Sequence, residues 1–216
     1  MMTASSRVIP AVLTDDPGAL SDMLRLAGSF TDYVQIDIMD GEFVPSRSVT
    51  AVHLKNLGIP VLWEAHIMVR SPQDYLADFK LAGAKKVIFH YEADRRPLEV
   101  IARARELSLE VGLAVNPETA LEAFLPLAEK VDSILFMAVN PGFYGAPFIP
   151  EVMTKIAAFR GLRPDFATGI DGGVKEDNVG MIARSGVNNI YVGSAIFRQA
   201  DPAAAFRRLN ALAQGG

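Results

Sequence analysis

The 216-residue chain contains no cysteine, which excludes disulfides, thiolate nucleophiles and thiolate-bound metals in one step. Any metal site has to be built from oxygen and imidazole, and imidazole is itself scarce, with three histidines in all. Long apolar runs are missing as well. No stretch approaches the roughly 18 apolar residues of a membrane span, and the short apolar run near the N-terminus soon meets Asp15 and Asp16, unlike a signal peptide. A cytoplasmic protein with no membrane contact is expected. Blocks of like charge are also absent: the net charge is −4, with acids and bases interspersed, so neither a nucleic-acid groove nor a polybasic patch is indicated. A small molecule is the expected partner. With half its residues apolar and no linker or low-complexity tract, the chain reads as a single domain over residues 1–216 with one sizeable core.

What is present is alternation. Short β-rich runs at 7–13, 32–38, 60–67, 86–91, 110–115, 132–138, 166–170 and 188–193 are separated by amphipathic helical patterns such as "DPGALSDMLRLAG", where Asp16 can cap and Pro17 can open the helix. Further helical patterns are "SPQDYLADFKLAGA", "PLEVIARARELS", "PETALEAFLPLAEK", "IPEVMTKIAAFRG" and "KEDNVGMIARSG". Eight βα units at a spacing of roughly 25 residues match an α/β fold of the (β/α)8 TIM-barrel type, and a doubly wound open sheet fits the alternation nearly as well. The unusual residues separate the two. Asp37, His66, His90 and Asp171 end the second, third, fourth and seventh strands, and Asn116 and Asn140 follow the fifth and sixth. A barrel collects such positions at one mouth.

Asp37 and Asp171 end strands three steps apart around a ring of eight. Two carboxylates reaching a mouth from different sides suit a two-base proton transfer, in which one group takes a proton from one face of a carbon and the other returns it to the opposite face. Each aspartate taken singly could equally cap the loop that follows it. His66 alone reads as a hydrogen-bonded structural residue; beside two carboxylates it suits an oxygen and nitrogen site for zinc, iron, manganese or cobalt. His53, on a helical stretch, reads as a surface residue. The segments "NPGFYGAPF" (140–148), "DGGV" (171–174) and "VGSAIF" (192–197) place glycines after three consecutive strands, where barrels hold phosphate on backbone N–H groups. Met39, Met68 and Met137 fall near the same mouth, either as core filler or as an apolar lining that keeps water from a developing enediolate.

As a set, "VQIDIMDGEFVPS", "EAHIMVRSPQDYL", "VIFHYEA", "VGLAVNPET", "LFMAVNPGFYGAPFI", "GIDGGV" and "VGSAIF" resemble the successive signatures of ribulose-phosphate 3-epimerases, in order and over nearly the whole chain. The resemblance implies a TIM barrel that interconverts D-ribulose 5-phosphate and D-xylulose 5-phosphate through a cis-enediolate, with a divalent metal on the substrate's oxygens. It implies Asp37 and Asp171 as acid/base pair and, with His66, as metal ligands. Substrate contacts would fall to His66, Gly142, Phe143, Tyr144, Gly145, Gly172, Gly173, Gly193 and Ser194. A homo-oligomer is expected.

The departures bear on chemistry. Gln35 stands where the family has a second metal-binding histidine, Ala11 where a serine touches substrate, and Tyr144 where the lid has a glycine. An amide oxygen is a poorer donor than imidazole to zinc or iron, so weakened metal binding, with Gln35 as an optional fourth ligand, stands beside a metal-free site in which the amide N–H2 faces the enediolate. Two other functions remain open: epimerisation of another ketose phosphate, such as a ketohexose 6-phosphate, and a sugar-phosphate-binding barrel without catalysis.

Overall fold

The computed structural model describes residues 6–55, 57–142 and 145–215. Eight parallel strands close a barrel in chain order: β1 (Arg7–Val12), β2 (Tyr33–Met39), β3 (Leu62–Met68), β4 (Lys86–His90), β5 (Glu110–Val115), β6 (Ser133–Met137), β7 (Thr168–Asp171) and β8 (Asn189–Val192). Pairing of β8 with β1 completes the ring. This decides for the barrel against the open sheet, and each strand lies within a residue or two of the run that announced it.

The strands are buried on both faces, as expected of a parallel sheet covered by helices. Outward-facing residues such as Val34, Ile36, Ile38, Val87, Phe89, Ile134 and Phe136 join the helices in the larger core. The opposite parity fills the interior with Ile9, Ala11, Ile88, Ala114, Leu135, Met137 and Tyr191. Two glycines make this interior possible: a Cβ on Gly112 would lie 2.8 Å from Ile88 Cγ1, and one on Gly169 would lie 2.8 Å from Tyr191 Cε2. Toward the N-terminal end the interior is polar. Lys86 Nζ lies 3.3 Å from Glu64 Oε2, both side chains are buried, and the Tyr33 hydroxyl donates to the same oxygen at 3.1 Å.

The helices are α1 (Pro17–Ala27), α2 (Ala51–Leu54), α3 (Leu76–Leu81), α4 (Pro97–Glu106), α5 (Leu121–Phe124), α6 (Val152–Leu162), α7 (Val179–Arg184), α8 (Ser194–Phe197) and α9 (Pro202–Gln214). Asp16 caps α1 by accepting the Gly18 N–H at 2.7 Å. Asp201 caps α9 through the Ala204 N–H at 2.9 Å; this Asp-Pro start is as legible as that of α1, yet α9 is not among the six expected helical segments. The segment 117–130, expected as one helix, gives four α-helical residues and then a tighter 3-10 run from Leu125 to Lys130, because Pro126 has no N–H to continue the α pattern. Among the described residues no helix is long and apolar enough to cross a membrane.

Candidate active site

Strand parity builds the site. Gln35, Asp37 and Met39 alternate into the barrel from β2, and the register sets Asp37 beside His66 and Met39 beside Met68 on β3. Asp171 arrives at the end of β7 from across the mouth. The four polar groups converge: Gln35 Nε2 donates to Asp37 Oδ1 at 2.9 Å and to Asp171 Oδ2 at 2.8 Å, while His66 Nδ1 stands 3.0 Å from Asp37 Oδ1 and 3.5 Å from Asp171 Oδ2. One amide nitrogen thus bridges both carboxylates.

Burial governs the electrostatics. The Asp37 carboxyl is pushed up to about 7, chiefly by loss of water, with the Gln35 hydrogen bond and the neighbouring His90 acting in the opposite direction. Asp171 is pushed up to about 7 by burial and then by the charge of Asp37, partly countered by His66 and Gln35. Burial holds both His66 and His90 below the ordinary histidine value.

The second carboxylate of the β2 segment, Asp40, is structural. Its Oδ1 accepts the N–H groups of Glu42 and Phe43 at 2.8 and 2.9 Å, and its Oδ2 accepts that of Arg70 at 2.6 Å, which ties the loops after β2 and β3 together. Ser48 pins the same loop by donating to the Asp37 carbonyl at 2.8 Å and accepting the Met39 N–H at 2.9 Å.

An open cleft is lined by Asp37, His66, Asp171, Gly142, Gly145, Gly172, Gly173, Gly193 and Ser194, and also by Ala11, Met39, Met68 and Met137. Of the residues the sequence proposes for catalysis, metal or substrate, those that are described line one cleft, Gln35 excepted; His90, Asn116 and Asn140, also expected at the mouth, do not line it. Gln35 is fully buried beside it. Phe143 and Tyr144 lie outside the described residues. Gly172 and Gly173 have φ of +108° and +67°, and a Cβ on Gly173 would lie 2.6 Å from the Phe148 backbone nitrogen, so this turn requires glycine. Asn140 is exposed and does not line the cleft, although its neighbours Val139 and Pro141 do; Asn116 turns its backbone N–H to Glu92 at 2.9 Å, and His53 is exposed.

His90, which the sequence marks as a strand end without assigning it a role, belongs to the site's surroundings. It shares the inward parity of Lys86 and Ile88, is fully buried, and places Nε2 2.9 Å from His66 Nε2. The signal is the parity itself, since an inward histidine at a barrel mouth has to find a polar partner.

The donor set can be tested against a divalent ion. Asp37, His66 and Asp171 each offer an atom, all within 4.8 Å of one another, and the 3.0 and 3.5 Å separations of the His66 nitrogen from the two carboxylates resemble the edge of about 3.3 Å between neighbouring ligands of a tetrahedral zinc. Gln35 Oε1 is buried with no hydrogen-bond partner among the described residues. Rotation of the amide about its last bond brings that oxygen toward the carboxylates, so the residues present fit a hard or borderline cation.

Residues 7–197 match the model of the ribulose-phosphate 3-epimerase family. The chain is similar to the ribulose-phosphate 3-epimerase of Mycobacterium bovis, at 33% identity over 96% of this chain and 93% of the relative. It is similar also to the protein of Oryza sativa named ribulose-phosphate 3-epimerase, cytoplasmic isoform, at 32% identity over 98% and 96%. Among solved structures, KGPDC from Streptococcus mutans superposes with a TM-score of 0.71 at 12% identity, covering 98% of this chain and 98% of that one, a likeness of fold.

Proposed function

Because the chain belongs to the ribulose-phosphate 3-epimerase family, whose members are isomerases acting on sugar phosphates, we propose that it interconverts D-ribulose 5-phosphate and D-xylulose 5-phosphate by inversion at C3. The observation that carries this reading is the pair of carboxylates, buried Asp37 and partly buried Asp171, joined through one amide nitrogen at 2.9 and 2.8 Å beside a cleft. One removes the C3 proton and the other delivers a proton to the opposite face. Titration of both near 7 suits this work, since an acid and a base of matched strength can exchange roles between the forward and reverse directions. Gln35 holds the two oxygens in place and favours their ionised forms.

The phosphate of the substrate is held by backbone N–H groups of the Gly172–Gly173 turn and of Gly193 and Ser194, where no side chain keeps the oxygens away. Met39, Met68 and Met137 exclude water from the enediolate without competing for its proton. Asp37, His66 and Asp171 are the residues that would hold a divalent ion. Such an ion would supply positive charge where negative charge develops on the substrate.

Purified protein supplied in parallel with a panel of ketose phosphates, with epimers resolved by NMR, tests the substrate. D-Ribulose 5-phosphate should turn over fastest. Faster epimerisation of a ketohexose 6-phosphate would transfer the same chemistry to the larger sugar, a reading favoured by Ala11, which lines the cleft with a small side chain.

A further inference from the structure

Behind His66 a line of buried polar groups leads away from the cleft. His66 presents Nδ1 to Asp37 and Asp171, and its other nitrogen, Nε2, lies 2.9 Å from His90 Nε2. His90 in turn presents Nδ1 to Glu92 Oε2 at 3.5 Å. Both rings are buried, they stack with centroids 5.1 Å apart, and Phe43 packs on His90 at 5.0 Å. Glu92 is anchored from its far side: Oε1 accepts the Asn116 N–H at 2.9 Å and the Thr119 hydroxyl. The loop that supplies those donors is held by Lys155, whose Nζ donates to the carbonyls of Asn116 and Pro117 at 2.9 and 2.7 Å.

Two nitrogens 2.9 Å apart can share only one proton, so the tautomer of one ring dictates that of the other. An ionised Glu92 can only accept; its Oε2 lies 3.5 Å from His90 Nδ1, outside hydrogen-bond geometry among the described residues, and its negative charge favours the His90 proton on Nδ1. That leaves His90 Nε2 as an acceptor, which places the His66 proton on Nε2 and a free lone pair on His66 Nδ1, aimed between Asp37 and Asp171. With a neutral partner in place of Glu92 the opposite polarity becomes available, and His66 Nδ1 then carries its proton toward Asp37 and cannot ligate. We infer that Glu92 acts through His90 as the positioning group that fixes His66 as an Nδ1 ligand, so that the metal affinity of the cleft is set from behind the barrel wall. Metal-binding histidines elsewhere hand their second N–H to a carboxylate or carbonyl; here a second imidazole is interposed. The inference rests on the reading that a divalent ion sits among Asp37, His66 and Asp171.

The test uses the full chain with Zn2+ as probe, in wild type, Glu92→Gln, Glu92→Asp and His90→Phe. Zinc affinity is measured by competition with a chromophoric chelator, and ring tautomers by 15N-resolved histidine spectra. Glu92→Gln and His90→Phe should each weaken zinc by about 10- to 100-fold, Glu92→Asp should recover most of the loss, and in Glu92→Gln the ring nitrogens of both His90 and His66 should shift. Melting of the metal-free proteins identifies any variant that has merely unfolded, and the conservative Glu92→Asp then carries the comparison. Unchanged zinc affinity in folded Glu92→Gln overturns the inference. If wild type takes up no zinc, the reading of the metal fails, and the spectra of metal-free protein still decide the coupling: a shift confined to His90, with His66 unmoved, overturns it.

Discussion

Gln35 donates both amide hydrogens to the two groups proposed to move protons, and this makes it the residue on which the site turns. Removing a donor from an ionised carboxylate raises its pKa. Gln35→Leu should therefore move the acid limb of the pH–rate profile upward from near 7; an unmoved limb would show that the amide does not act on the reacting pair. Gln35→His should tighten zinc by at least about 10-fold, as a borderline imidazole donor replaces an amide, and equal affinities in calorimetry would place position 35 outside the coordination sphere. The aspartates carry a stability consequence too. Their ordinary value is 3.8 and burial lifts both to about 7, so in metal-free protein their contribution is fully present below about pH 4 and lost as pH rises through about 7. Asp171→Asn should flatten that part of the profile, and thermal melts from about pH 5 to about pH 8 compare the slopes; parallel profiles would contradict the burial argument. Asp37, Asp171 and His66 were legible because a charged or imidazole residue closes an otherwise apolar strand. The His90 to Glu92 line was not, because Glu92 sits past the strand end, and its meaning depends on a 2.9 Å contact between two rings that are 24 positions apart.

At the scale of the elements, alternation along each strand separates an outer face packed on helices from an inner face that carries the chemistry. This is why β1 to β8 could be placed from apolar runs alone. Helices were less legible where proline interrupts them, as in the 3-10 run from Leu125 to Lys130, and the capping pattern at Asp201 and Pro202 showed that a strong start signal can be passed over at the end of a chain. The loops contribute through backbone. Gly173→Ala places a Cβ at φ +67° against the Phe148 backbone, at a cost on the order of 1–3 kcal/mol in strain. The proposed phosphate turn should open in consequence, raising KM for the sugar phosphate by about 10-fold or more, as a loss of roughly 1.4 kcal/mol in binding implies. Steady-state kinetics checks this, and an unchanged KM would locate the phosphate elsewhere on the rim.

Across the whole molecule, one barrel serves two chemistries at its two ends. The N-terminal end of the interior holds the buried Lys86 and Glu64 pair at 3.3 Å with the Tyr33 hydroxyl, and Lys86→Met should cost about 3–5 kcal/mol of stability by stranding a buried carboxylate. Denaturant unfolding measures the loss, while kcat of the folded protein should stay near that of wild type; a large fall in kcat would couple the two ends. The C-terminal end gathers the groups proposed to transfer protons, and the central claim belongs there. The most direct measurement is epimerisation of D-ribulose 5-phosphate in deuterated water, followed at C3 by NMR, for wild type, Asp37→Asn and Asp171→Asn. Proton transfer through two carboxylates predicts deuterium at C3 of the xylulose 5-phosphate formed by wild type and a loss of at least about 100-fold in epimerisation for each variant. Product formed without deuterium, or near-normal turnover in either variant, would contradict it.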